Sequence, residues 1–189
     1  MKDRNGRELQ HLALFVYGSL MQGLPNHRHM GEASKLTPIP GKVQGHVMVS
    51  LGAFPGLIPF ENFEAFGELY PTEELTPEAF EKLIEDCDWL EGEGSFYTRT
   101  IVEVTTPYGH TVRAYVYVLD ATYLHRHPVV YDGCWQNRGD SIRREWMNTT
   151  VSSRGFTAEE EDIYDVADDG EDEDIDLIEE LDADDYRLW

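Results

Sequence analysis

The chain has 189 residues, enough for one domain of ordinary size with its own core and a tail, and too few for a second large domain. Its 37 acidic residues against 15 basic ones give a formal net charge of −22, yet the distribution is uneven: residues 157–189 hold seventeen of the acids and one base, Arg187. Without a clustered Lys/Arg run such a chain is a poor partner for phosphate backbones or acidic lipid surfaces, so neither direct nucleic-acid binding nor membrane binding is expected.

Residues 1–11 read as an N-terminal extension without a secretory signal pattern, and no later stretch reaches the roughly 18 apolar residues of a spanning helix; a cytoplasmic protein is expected. Leu12-Ala13-Leu14-Phe15-Val16-Tyr17 is an apolar run ended by Gly18-Ser19, a buried strand breaking into a tight turn. Residues 22–42, punctuated by Gly23, Pro25, Asn26, Gly31, Pro38, Pro40 and Gly41, read as irregular connection with room for a short helix. Residues 43–49 alternate at period two and predict a strand. The prolines of Phe54-Pro55-Gly56-Leu57-Ile58-Pro59 argue against a central place in a sheet, and residues 65–70 form another short strand.

The clearest element starts at Thr76-Pro77, where Thr76 can cap the first amides, Pro77 suits the first helical position and Leu75 can staple onto Phe80. Phe80, Leu83, Ile84, Cys87 and Leu90 then form one apolar stripe at helical spacing. After Gly92-Glu93-Gly94, residues 96–104 and 111–119 are rich in aromatic and β-branched types around the turn Pro107-Tyr108-Gly109-His110, which predicts a β-hairpin of undetermined register. Residues 140–147 have the pattern of a last helix. Cys87 and Cys134 are too few for a disulfide framework and lack metal-ligand spacing, so two reduced thiols and no metal site are expected.

Two features bear on chemistry. If the helix runs through Asp88-Trp89-Leu90-Glu91, Glu91 falls on the core-facing stripe, where desolvation raises its pKa towards the range useful for exchanging protons; if the helix ends at Leu90, Glu91 is a solvated turn residue. The turn Tyr17-Gly18-Ser19-Leu20 either aims successive backbone amides at one point, as a nest for a carboxylate or oxyanion, or is ordinary strand-end punctuation. Ser19 lacks the glycine two residues later that a nucleophile elbow uses, which disfavours acyl-serine chemistry. His125-Arg126-His127 has no third ligand and reads as solvated loop. On the hairpin, Tyr97, Tyr117, Tyr115 and Arg99 are candidates to line a cavity, with Arg99 either pairing an acid or holding a carboxylate.

Read in order, several segments together resemble the gamma-glutamyl cyclotransferase-like family. They are Phe15-Val16-Tyr17-Gly18-Ser19-Leu20 with Gly23-Leu24-Pro25-Asn26, Gly31-Glu32-Ala33, Phe54-Pro55-Gly56-Leu57, Gly67-Glu68-Leu69-Tyr70, Asp88-Trp89-Leu90-Glu91-Gly92, Tyr97-Thr98-Arg99 and Gly133-Cys134-Trp135. The resemblance spans about residues 12–138 of a domain taken as 12–156. It implies an α+β fold, a small curved mixed β-barrel with flanking helices, whose cavity takes a small-molecule gamma-glutamyl substrate. The Tyr17–Leu20 amides would hold the substrate α-carboxylate, with Tyr97 and Tyr117 as further binding residues, and Glu91 would be the general acid/base. The α-amine attacks its own γ-carbonyl to give 5-oxoproline and a free amine or amino acid, without cofactor or metal.

The acidic tail, 157–189, departs from that pattern. Residues 159–174 cannot bury enough apolar surface to fold alone, whereas Ile175, Leu177, Ile178, Leu181, Tyr186, Leu188 and Trp189 could line an amphipathic helix. The tail is either solubilising or a contact for a basic, partly apolar protein partner. The second function class is therefore a binding or inhibitory module of the same fold with vestigial catalysis.

Overall fold

The computed structural model describes Gly6 and residues 8–135; the helix expected over 140–147 and the acidic tail lie outside them. Five strands close into a mixed barrel. The apolar run gives β1 (Ala13–Val16), antiparallel to β3 (Pro55–Tyr70) and parallel to β5 (Thr111–Val118). β5 pairs with β4 (Thr98–Thr105), β4 with β2 (Ile39–Ser50), and β2 returns to β3. A two-residue strand, β6 (Val129–Val130), adds to β2 at Met48 and Val49. Closure of the ring pairs β1 on both edges, and its burial at all four positions rather than at alternate ones means that both of its faces are covered.

The tight curvature has a visible cause in β1. The Phe15 ring fills the barrel beside Gly41 and Gly67, which face each other across the β2–β3 ladder. A Cβ on Gly67 would lie 2.3 Å from the Val16 carbonyl oxygen and 2.8 Å from Phe15 Cζ; one on Gly41 would lie 3.1 Å from Phe15 Cε2. Two strands can pass this close to a phenyl ring only where no side chain intervenes.

β2 and β3 are longer than the alternation predicts. The expected strands 43–49 and 65–70 are parts of them, hidden because the ladder shifts register between Gln44 and His46 and the chain turns to positive φ at Asn62. Pro55 and Pro59 lie in the part of β3 whose ladder is to β2 alone, so their missing N–H groups interrupt no second ladder. The hairpin forms as expected, with Arg99 opposite Tyr117 and Ile101 opposite Tyr115.

The single α-helix among the described residues, α1 (Pro77–Glu91), follows its sequence signals. Thr76 Oγ1 accepts from the Ala79 N–H at 3.2 Å, Pro77 starts the first turn, and Phe80, Leu83, Ile84 and Cys87 are buried. Gly92 ends it in the left-handed region at φ 61°, while the Glu93 N–H caps the Asp88 carbonyl at 2.9 Å. α1 packs on a 3-10 segment, His27–Lys35, within the connection read as irregular. His125 and Arg126 belong to another 3-10 segment, Ala121–Arg126, where both are exposed; the plain loop expected there is corrected to that extent.

Candidate active site

β1 ends at a cavity of about 370 Å³, and α1 delivers its last residue to the same place. Tyr17, Gly18, Ser19, Leu20, Glu91, Tyr97 and Tyr117 all line it. The seven residues singled out in the sequence come from three separate parts of the chain and meet only because the barrel closes. Of the two readings of Glu91, the helical one holds: α1 includes it. Glu91 is half-buried, and that burial pushes its carboxyl up to about 7 from the ordinary 4.5.

Beyond β1 the chain makes a tight turn closed by the Met21 N–H to the Gly18 carbonyl at 2.9 Å. The Ser19 carbonyl accepts from the Asn26 N–H at 3.0 Å, the Leu20 carbonyl from His27 Nδ1 at 3.0 Å, and Ser19 Oγ from Asn26 Nδ2 at 3.0 Å. The turn thus uses its carbonyls internally, while the Gly18, Ser19 and Leu20 amides donate to no group among the described residues; all three residues line the cavity. Gly18 is needed for a reason the sequence did not reveal. Its φ is not in the left-handed region; instead a Cβ there would lie 2.8 Å from Pro55 Cγ.

The tyrosines are framework as well as lining. Tyr17 donates its hydroxyl to the Tyr117 carbonyl at 2.7 Å and accepts from the Leu57 N–H at 3.2 Å. Tyr97 donates to the Pro55 carbonyl at 2.7 Å, and Tyr117 donates to Asp88 Oδ1 at 2.7 Å. All three hydroxyl protons are therefore committed within the protein, and burial holds all three groups above the ordinary tyrosine pKa. The expectation that Tyr97 and Tyr117 bind substrate narrows accordingly, to ring surface rather than donated hydrogen bonds.

Three groups escaped the sequence reading. Asp88 accepts from Arg99 Nε at 2.9 Å and from Nη2 at 3.4 Å, with side chains only 1 % and 5 % exposed. The Arg99 guanidinium also lies 4.9 Å from the Tyr115 ring centroid, so of its two readings pairing with an acid is the one observed. Together Asp88, Arg99 and Tyr117 tie the last turn of α1 to the hairpin, one turn before Glu91; the available signal was that Asp88 lies four residues after Ile84, on the buried stripe. Buried Glu68 accepts from the Gln22 N–H at 2.7 Å and from the Tyr70 hydroxyl at 3.0 Å, pinning the segment after the turn to β3. Finally, Phe54, Phe96 and Trp135 contribute aromatic surface to the cavity.

Comparison with known proteins agrees with this architecture. The family model for gamma-glutamyl cyclotransferase, AIG2-like proteins matches residues 14–137. The crystal structure of an AIG2-like protein from Mus musculus superposes with a TM-score of 0.53 at 26% identity, over 69% of this chain and 91% of that one. YkqA from Bacillus subtilis superposes with a TM-score of 0.50 at 20% identity, over 72% of this chain and 43% of that one, a likeness of fold. Among curated proteins no sequence match is found. With the barrel, the strand-end turn and the helix-end glutamate all inside the matched span, the chain belongs to the gamma-glutamyl cyclotransferase, AIG2-like family.

Proposed function

We propose that this protein cleaves a gamma-glutamyl amide by cyclisation, releasing 5-oxoproline and an amine, with Glu91 as the proton carrier. The observation that carries the reading is one cavity lined both by a half-buried carboxyl pushed up to about 7 and by a turn whose three amides meet no acceptor among the described residues. The Gly18, Ser19 and Leu20 amides receive the substrate α-carboxylate, an anion that suits a concave set of N–H donors. This bends the glutamyl chain so that its α-amine meets its own γ-carbonyl.

Attack forms the new C–N bond, and Glu91 in its carboxylate form accepts the proton the α-amine sheds. Collapse of the tetrahedral species breaks the original amide C–N bond, and Glu91 passes that proton to the departing nitrogen. A carboxyl balanced near neutrality serves both halves of the cycle. Nucleophile and electrophile belong to one molecule, so the larger part of the acceleration comes from holding the bent conformer, for which effective molarities of about 10⁵–10⁸ M are known.

The test measures 5-oxoproline release by the full chain and by Glu91→Gln. Loss of about 10²–10⁴-fold in kcat/KM is expected, together with an acidic limb near pH 7 in the wild-type profile that the variant lacks. Unchanged release by the variant refutes the assignment.

A further inference from the structure

The proposed reaction fixes the glutamyl end of the substrate and leaves the departing amine undefined. We infer that the amine released is apolar and by preference aromatic, an arylalkylamine, rather than an amino acid or peptide. The inference rests on the reading of Glu91 above and names the leaving group for that same site.

The cavity beyond the turn carries the argument through what lines it. Leu24, Ala53, Phe54, Leu90, Phe96 and Trp135 are among its lining residues. Among the described lining residues there is no lysine, arginine or histidine; the ionisable side chains are Glu91 and the three tyrosines whose protons are already committed. A leaving amino acid would bring its own carboxylate beside Glu91 with no described cation to meet it, and an unpaired charge in such surroundings is unfavourable.

The aromatic side is built to stay in place. The Phe96 N–H donates to the Gly92 carbonyl at 2.9 Å, which folds the chain back just after α1. The Phe96 ring meets Tyr97 edge-to-face at 4.9 Å and 90°, Tyr123 at 5.6 Å and 89°, and Phe54 at 6.3 Å and 79°. Yet Phe54 and Phe96 remain 39% and 37% exposed, so fixed ring surface is left uncovered at a cavity wall. An arene on the substrate covers it without ordering new side chains, and aromatic pairs add attraction beyond the area they bury.

The experiment gives the full chain four substrates: the gamma-glutamyl amides of 2-phenylethylamine and n-butylamine, gamma-glutamylglycine, and gamma-glutamyl-ε-lysine. Release of 5-oxoproline is measured for each. The phenylethylamide is expected to exceed the glycine and lysine compounds at least about tenfold in kcat/KM. Phe96→Leu, which keeps an apolar side chain, should narrow the ratio of phenylethylamide to n-butylamide roughly three- to tenfold. Equal or better turnover of the glycine or lysine compound overturns the inference, as does a ratio unmoved by a folded Phe96→Leu; in either case Glu91-dependent release still stands. If none of the four yields 5-oxoproline, the cyclisation reading falls and the inference with it.

Discussion

Replacing Glu91 by glutamine tests the electrostatics of the site without reference to any substrate. Glutamine keeps the shape of the protonated acid and removes the ionisation. Below about pH 4 the carboxyl is neutral in folded and unfolded chains alike and contributes no difference. As pH rises the unfolded chain releases its proton first, so wild-type stability falls between 4.5 and about 7 and levels off above that interval. Raising a carboxyl from 4.5 to about 7 corresponds to roughly 3 kcal/mol, which contact with water at the cavity reduces to about 1–2 kcal/mol. Glu91→Gln should therefore be more stable than wild type at pH 8 and equal to it at pH 4. For a chain of this size the gain corresponds to about 3–6 °C in Tm. Thermal unfolding followed by circular dichroism at the two pH values reads this directly, and a Tm difference that does not change with pH would mean that the carboxyl is not desolvated.

Two other perturbations follow from the same geometry. Gly18→Ala drives a Cβ to 2.8 Å from Pro55 Cγ, a rigid ring that cannot swing aside, so stability should drop by about 1–3 kcal/mol in urea titrations and KM should rise more than kcat falls; a variant with unchanged stability contradicts the close approach. Asp88→Leu removes the buried carboxylate that pairs with Arg99 at 2.9 Å and should cost about 3–5 kcal/mol, while combining it with Arg99→Met should cost less than the sum of the two single substitutions. Purely additive effects of those two substitutions would show that the pair is not coupled.

Local signals carried much of the fold. Thr76-Pro77 and the stripe from Phe80 to Cys87 define α1 through capping and periodicity that act within a few residues, and the β4–β5 hairpin needs only adjacent strands and a turn. The long β3 was harder to read because Pro55, Pro59 and the positive φ at Asn62 interrupt any alternation, and what makes them acceptable is the identity of the neighbouring strand. The site divides in the same way. Glu91 and the Tyr17–Leu20 turn are visible as a polar tip on an apolar stripe and a strand end. The meeting of Phe54 with Phe96, or of Asp88 with Arg99, depends on closure of the barrel, which no window of sequence contains. The tyrosine hydroxyls show the reverse hazard: Tyr97 and Tyr117 are legible from the sequence as residues lining a cavity, whereas the Pro55 carbonyl and the Asp88 carboxylate take their protons.

The amides of the turn after β1 that meet no acceptor among the described residues belong to the main chain, and that decides what mutation can do to them. Exchanging Ser19 for another residue breaks its tie to Asn26 but leaves the peptide nitrogen and its hydrogen where they were. Only proline deletes such a hydrogen outright. Drift in side-chain identity along this loop can alter its rigidity, while the direction of its amides persists as a property of backbone shape.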